Sequence, residues 1–296
     1  MASRYLSHEA EIKSRFWIAT ETARKEKLEH GDRQLLRESE AKFLHAVNFE
    51  SRIIWAKAFC KVVEGQFKLK AKEFHPAQPM FLGTFVDADR TLPVDHRGKF
   101  DLADIKNRLR IGLRGLHFIG MIEPAFYANV QHEAREPCVM WHLHCLIWGI
   151  SRQSLTLRTR RMNAWEGFYS PIVPDRDGAK AKRISKGQLP DKLRYILKSP
   201  KKEYRTYSYE VGGFRGSKHK SDKLRPGNAL KLFKHMRHLS LDELGMAGGE
   251  GVAMLGETKA RALLPYKRAL QRATSRRLIQ GAMEPKRGTW NAKRFR

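Results

Sequence analysis

The stretch Val139-Met-Trp-His-Leu-His-Cys-Leu-Ile-Trp-Gly149 limits the possible folds more than any other part of this chain. It is an apolar run of β-branched and aromatic residues ended by glycine, the pattern of a buried β-strand. Two polar side chains, His142 and His144, interrupt it. Strand side chains alternate faces, so both imidazoles leave on one face and Leu143 on the other. Two neutral imidazoles on a rigid strand are half of a metal site. The alternative is a pair of core or surface histidines with satisfied hydrogen bonds.

The charge balance narrows the partner. The 296 residues carry 58 Lys+Arg against 31 Asp+Glu, a formal net charge of +27. Such an excess sets up a long-range field that attracts polyanions, and nucleic acid is the expected one. A membrane surface would be the rival, but no basic amphipathic anchor stands beside a lipidation signal. With 41% hydrophobic residues the composition is globular, enough for one large domain or two small ones. Cys60, Cys138 and Cys145 have no paired spacing, which points to a reducing compartment and away from a zinc finger. Cys145 adjoins His144 and faces away from it. No signal-peptide core and no apolar stretch of membrane-spanning length is visible, so the expectation is a soluble protein of the cytoplasm.

Three segments are expected. Residues 1–75 read as helices: one from His8 to His30, then one capped by Asp32 and running to Val62 through Leu36, Phe43, Val47 and Ile54. Their charges nearly balance, which suits a packing layer or a dimer contact. Residues 76–210 hold the sheet. A strand Met80–Val86 comes first, then a helix from Asp101 to about Arg114, a strand Leu116–Ile122 with Glu123 at its exit, and the histidine strand. Antiparallel pairing of the last two would bring Glu123 to the histidine face, with Glu133 and Glu136 as alternatives on a loop. Ser151–Trp165 reads as a basic helix and Pro171–Lys186 as a loop. A helix from Pro190 to Lys198 places Tyr195 and Lys198 on one face. In residues 211–296, Gly212–Lys220 reads as a glycine-rich basic loop and Gly245–Gly251 as a hinge or tight turn. Helices follow at Asn228–His238 and Thr258–Gln280, and the end reads as a basic tail.

In this order the pieces form a pattern. A strand with Thr84 (Phe81-Leu-Gly-Thr-Phe85) precedes Trp141-His-Leu-His-Cys145, and Tyr195-Ile-Leu-Lys198 follows in a basic surround. The chain resembles the HUH endonucleases: rolling-circle replication initiators, single-strand transposases and conjugative relaxases. The likeness spans about Met80 to Lys202 and is closest to the one-tyrosine branch. It implies an α+β fold, a central antiparallel sheet of RRM-like or palm topology backed by helices, with added N- and C-terminal helical segments. It also implies a divalent ion, Mn²⁺ or Mg²⁺, on His142, His144 and a carboxylate, for which Glu123 is the candidate. Tyr195 would be the nucleophile, leaving a 5′-phosphotyrosine, and Lys198 its helper. Tyr195 packing its ring in the apolar face of its helix is the structural alternative.

The expected partner is single-stranded DNA or a DNA hairpin. Candidate contacts are Arg158, Arg160, Arg161, Lys192, Arg194, Lys201, Lys202, Arg215 and Lys218. Within the class the reading is a plasmid or phage rolling-circle initiator, with a one-tyrosine transposase as the alternative. Two other classes stay open. A non-catalytic nucleic-acid-binding protein would tolerate loss of the His pair and Tyr195. A metal-dependent hydrolase would need the histidines alone.

Overall fold

A computed structural model of the chain describes residues 28–73, 79–94, 101–130, 136–164, 176–211 and 213–283. The expected helix from His8, the Glu133 alternative and the basic tail lie outside the described residues. Helices α1 (His30–Leu35) and α2 (Phe49–Glu73) come first, with a 3₁₀ segment at Glu38–Phe43 between them. Strand β1 (Met80–Pro93), helix α3 (Leu102–Gly112) and strands β2 (His117–Val130) and β3 (Cys138–Trp148) follow. Then come α4 (Arg152–Ala164), β4 (Ala179–Ile184), α5 (Leu189–Ile196), β5 (Lys202–Val211) and β6 (Phe214–Lys223). The described chain ends with α6 (Pro226–Met236), α7 (Leu241–Leu244), β7 (Gly245–Gly248) and α8 (Gly251–Met283).

The fold is α+β, built on one sheet in the order β4-β1-β3-β2-β5-β6, with β7 beside β2. Strand β3 is buried along its whole length, as its run of mainly apolar residues requires. The sheet is mixed, which corrects the expectation of an antiparallel one: β2 and β5 run parallel, while the other pairings among the described strands are antiparallel. A parallel neighbour needs a long crossover, and the chain between Val130 and Lys202 supplies it through β3, β4 and α5.

Strand β2 does not stop at Ile122. It continues through Glu123 and Pro124 to Val130, so Glu123 sits inside the strand and not at its exit. The pairing explains how a central strand accepts a proline. On the side away from β3, β7 pairs Phe118–Met121 and β5 pairs Phe126–Val130. Between those two stretches no ladder needs the N–H that Pro124 lacks.

Other expectations change in the same way. Asp32 does not cap a helix to Val62: it is buried and accepts two hydrogen bonds from Arg237 Nη1, at 3.0 and 3.1 Å, tying α1 to the end of α6. Part of the Pro171–Lys186 loop is the edge strand β4. Most of the Gly212–Lys220 loop is strand β6, and Gly245–Gly251 holds β7 and the start of α8. The Asp101 cap is as expected, its side chain accepting from Asp104 N at 3.0 Å. One hydrophobic cluster runs from Leu28 to Ala262 and includes residues of all three expected segments. No described helix is long and apolar enough to cross a membrane.

Candidate metal centre

Register across three strands assembles the site. Glu123 on β2 lies opposite His142 on β3, and His144 lies between Met121 of β2 and Thr84 of β1. Directly opposed residues in an antiparallel pair share a face, so all of these side chains emerge on one side of the sheet. There Glu123 Oε1 is 3.0 Å from His142 Nε2 and 3.0 Å from His144 Nε2, and the two imidazole nitrogens are 3.0 Å apart. All three residues are buried, and they could hold a metal ion. His144 Nδ1 is 3.0 Å from Thr84 Oγ1. With Nδ1–H donating to that hydroxyl, Nε2 keeps its lone pair for the centre.

Helix α5 brings the remaining groups. Pro190 stands in its first turn, a capping box between Ser185 and Gln188 precedes it, and Leu189, Leu193 and Ile196 are buried on one face. Tyr195 is on the other side, 40% exposed, with its ring centroid 4.5 Å from that of His144. Lys198 follows the C-cap residue Leu197 and so stands just past the helix, not on it as expected. It still reaches the same place. Its Nζ is 2.7 Å from Glu123 Oε1, 3.3 Å from His144 Nε2 and 4.0 Å from the centroid of the Tyr195 ring. Residues Ile196–Lys198 and Trp55 of α2 line one small cavity with Met121 and Glu123.

The electrostatics suit a cation. Burial favours a neutral Glu123, but the Lys198 ammonium beside it outweighs that and holds the carboxyl well below the usual range. Burial lowers the pKa of His144 to about 4, against the pull of Glu123, so its imidazole is neutral at neutral pH. Burial lowers the pKa of Lys198, and the attraction of Glu123 more than offsets it, leaving the ammonium more basic than usual. Among the described residues, Glu123 Oε2 and His142 Nδ1 are buried without a hydrogen-bond partner. Three converging donor atoms and an unpaired carboxylate oxygen make a donor set that fits a divalent ion.

The expected DNA contacts fall in several places. Arg158 donates to the carbonyl oxygen of Arg114 at 2.6 Å, joining α4 to the turn before β2, while Arg160 and Arg161 are exposed on α4. That helix packs on the face that carries Phe81 and Ala181, opposite the face of Thr84, so these arginines are not brought to the centre. Arg194 pairs with Asp191 one helical turn away, and Lys192 is half-buried beside it. Lys201 and Lys202 are exposed at the start of β5, Lys218 is exposed on β6, and the Arg215 side chain lies outside the described ones. Glu136 is exposed and belongs to no metal-binding group among the described residues.

Of the fallback nucleophiles that the sequence offers after the Tyr195 helix (Tyr204, Tyr207 and Tyr209), Tyr204 lies on β5 in a stack that was not foreseen, with Tyr127 of β2 (centroids 5.4 Å apart) and His219 of β6 (4.9 Å). The usable signal was the alternation of β-formers in Tyr204-Arg-Thr-Tyr-Ser-Tyr209.

Compared with protein-family models, curated proteins and solved structures, the chain matches none of them.

Proposed function

We propose that this chain is a metal-dependent enzyme that nicks and rejoins single-stranded DNA through a 5′-phosphotyrosine on Tyr195. The observation that carries the proposal is the convergence of Glu123, His142 and His144 beside a half-exposed Tyr195 with Lys198 between them. The palm-like HUH topology, the rolling-circle initiator role and the choice of Mn²⁺ or Mg²⁺ belong to this reading. Two imidazole nitrogens and one carboxylate oxygen, each 3.0 Å from the others, would hold the ion. A bound Mn²⁺ or Mg²⁺ would supply Lewis-acid polarisation of the scissile phosphate.

The chain's own groups account for the rest. Tyr195 Oη forms a bond to phosphorus while the bond from phosphorus to the 3′ oxygen breaks. The phenolic proton ends, by way of solvent, on that 3′ oxygen, giving a 5′-phosphotyrosine and a free 3′-hydroxyl. A neutral phenol is a weak nucleophile, and the Lys198 ammonium over the Tyr195 ring stabilises the phenolate as it forms. The phosphodiester energy stays in the covalent bond, so attack by a 3′-hydroxyl reverses the step without ATP. Thr84 orients His144 for the ion.

The test is a labelled single strand incubated with protein and Mn²⁺. A species that survives denaturing electrophoresis should form, with the protein on the 5′ end of the downstream fragment. Tyr195→Phe keeps the ring and removes the hydroxyl, so it should abolish the adduct and leave binding in place. An adduct on Tyr204, Tyr207 or Tyr209 would refute the residue assignment. Nicking without any adduct would make water the nucleophile and overturn the reading.

A further inference from the structure

We propose that the β5–β6 ribbon is a duplex-reading element that enters the major groove of a DNA stem beside the single strand to be cut. This rests on the proposed nuclease reading for its biological setting, but the geometry of the ribbon stands independently of it. Each strand has 10 residues, and their register is continuous from Lys202↔Lys223 to Val211↔Phe214. Strand β2 pairs with β5 only as far as Thr206. No third strand is paired to Tyr207–Val211 or Phe214–Lys218 among the described residues, so about 16 Å of two-stranded ribbon extends past the sheet. The major groove, about 12 Å wide, admits a two-stranded ribbon of this kind.

Isolated two-stranded ribbons are marginal in water, and this one is anchored at its base. The wholly buried carboxylate of Glu203 accepts from Asn228 Nδ2 at 2.7 Å, from Arg225 N at 3.2 Å and from Arg205 Nη2 at 3.1 Å. Val211 and Phe214 close the ribbon's end, and Gly213 before Phe214 has φ 80°. Stability alone does not explain what the ribbon displays. Arg205 lies directly opposite Lys220, and each has a carboxylate on its own strand, Glu203 at 3.1 Å and Asp222 at 3.8 Å. One strand pair further out, Tyr207 faces an exposed Lys218, and then Tyr209, 49% exposed, lies over Gly216. A Cβ on Gly216 would meet the Tyr209 ring at 2.8 Å. Val211 at the tip is 69% exposed. A basic shaft with an aromatic and apolar tip matches a phosphate-lined groove with base edges at its floor.

The experiment compares a fluorescent DNA hairpin with an unstructured single strand of equal length. It uses full-length protein carrying Tyr195→Phe in chelator, so no cleavage enters the readout. The hairpin should bind about tenfold tighter, and protein should protect guanine N7 in the stem from methylation. In Lys218→Gln/Lys220→Gln the hairpin advantage should vanish, and its log–log salt slope should fall by about 2 as two phosphate contacts are lost. Tyr209 is kept in this variant, so the ribbon's packing over Gly216 stays, and an unchanged melting temperature verifies it. Equal losses for hairpin and single strand would overturn the proposal, leaving only general phosphate contacts. So would an A-form RNA hairpin bound as tightly as DNA, since its major groove is too narrow for side chains to read. Failure of the nuclease assay would leave these binding results standing.

Discussion

His144 is held from two sides: Thr84 takes one ring nitrogen at 3.0 Å, and the other lies 3.0 Å from both Glu123 and His142. Thr84→Val keeps the shape of the side chain and removes the hydroxyl. It should weaken Mn²⁺ binding by about 10–100-fold, as loss of an orienting partner does, with calorimetry as the measurement. An unchanged affinity would make the contact incidental. The same burial sets a pH dependence. Folded His144 has a pKa of about 4 against an ordinary 6.5, so between these values the unfolded chain binds more protons. Stability of the metal-free protein should therefore fall as pH drops from about 6.5 towards 4, by on the order of 2–3 kcal/mol. Glu123, held below its ordinary range, adds to the loss at the acid end of that window. Denaturant midpoints at pH 7 and pH 5 should diverge in the parent protein and draw together in His144→Gln.

At the scale of elements, two joints carry the arrangement. Glu203 fastens the base of the ribbon to the start of α6 through Arg225 and Asn228. Glu203→Ala would leave those donors unpaired. It should cost about 2–4 kcal/mol and remove hydrogen-exchange protection from β5 and β6 before the rest of the sheet. Loss of protection spread evenly over the sheet would show that the ribbon has no separate anchor. The second joint is the approach of α8 to β2. A Cβ on Gly251 would stand 1.9 Å from the Phe118 carbonyl oxygen, so only glycine lets the helix begin there. Gly251→Ala should displace β7 from β2 and lower the melting temperature by several degrees, since even about 1 kcal/mol shifts it by 2–4 °C in a chain of this size.

The whole molecule is organised by charge as well as by its core. The formal net charge is +27, and Ser151–Arg237 alone contains 23 Lys/Arg against 7 Asp/Glu. Single-strand affinity should therefore fall steeply with salt. Six phosphate contacts would give a log–log slope near about −4. A flat dependence between low and moderate salt would remove the electrostatic argument for a nucleic-acid partner. Single-site charge changes on α4 should matter less to cleavage than those near β5, because α4 lies on the sheet face away from Glu123.

Some of this was legible in the residues alone. The period-two placement of His142 and His144, the Asp101 cap and the helix carrying Tyr195 depend on neighbours a few positions away, and local patterns report local geometry. The excess of positive charge needs no structure at all. What the tertiary structure decided is non-local. Glu123 joins the histidines because β2 and β3 pair in one register, and Pro124 survives inside β2 because β5 and β7 leave a gap beside it. Lys198 reaches Glu123 from beyond the end of its helix, a turn that no helical spacing encodes. Strand β6 was hidden in a run of glycine, serine and lysine, residues with little preference for a strand. Pairing with β5, itself set beside β2 by a long crossover, makes that run a ribbon, and only the folded chain supplies that partner.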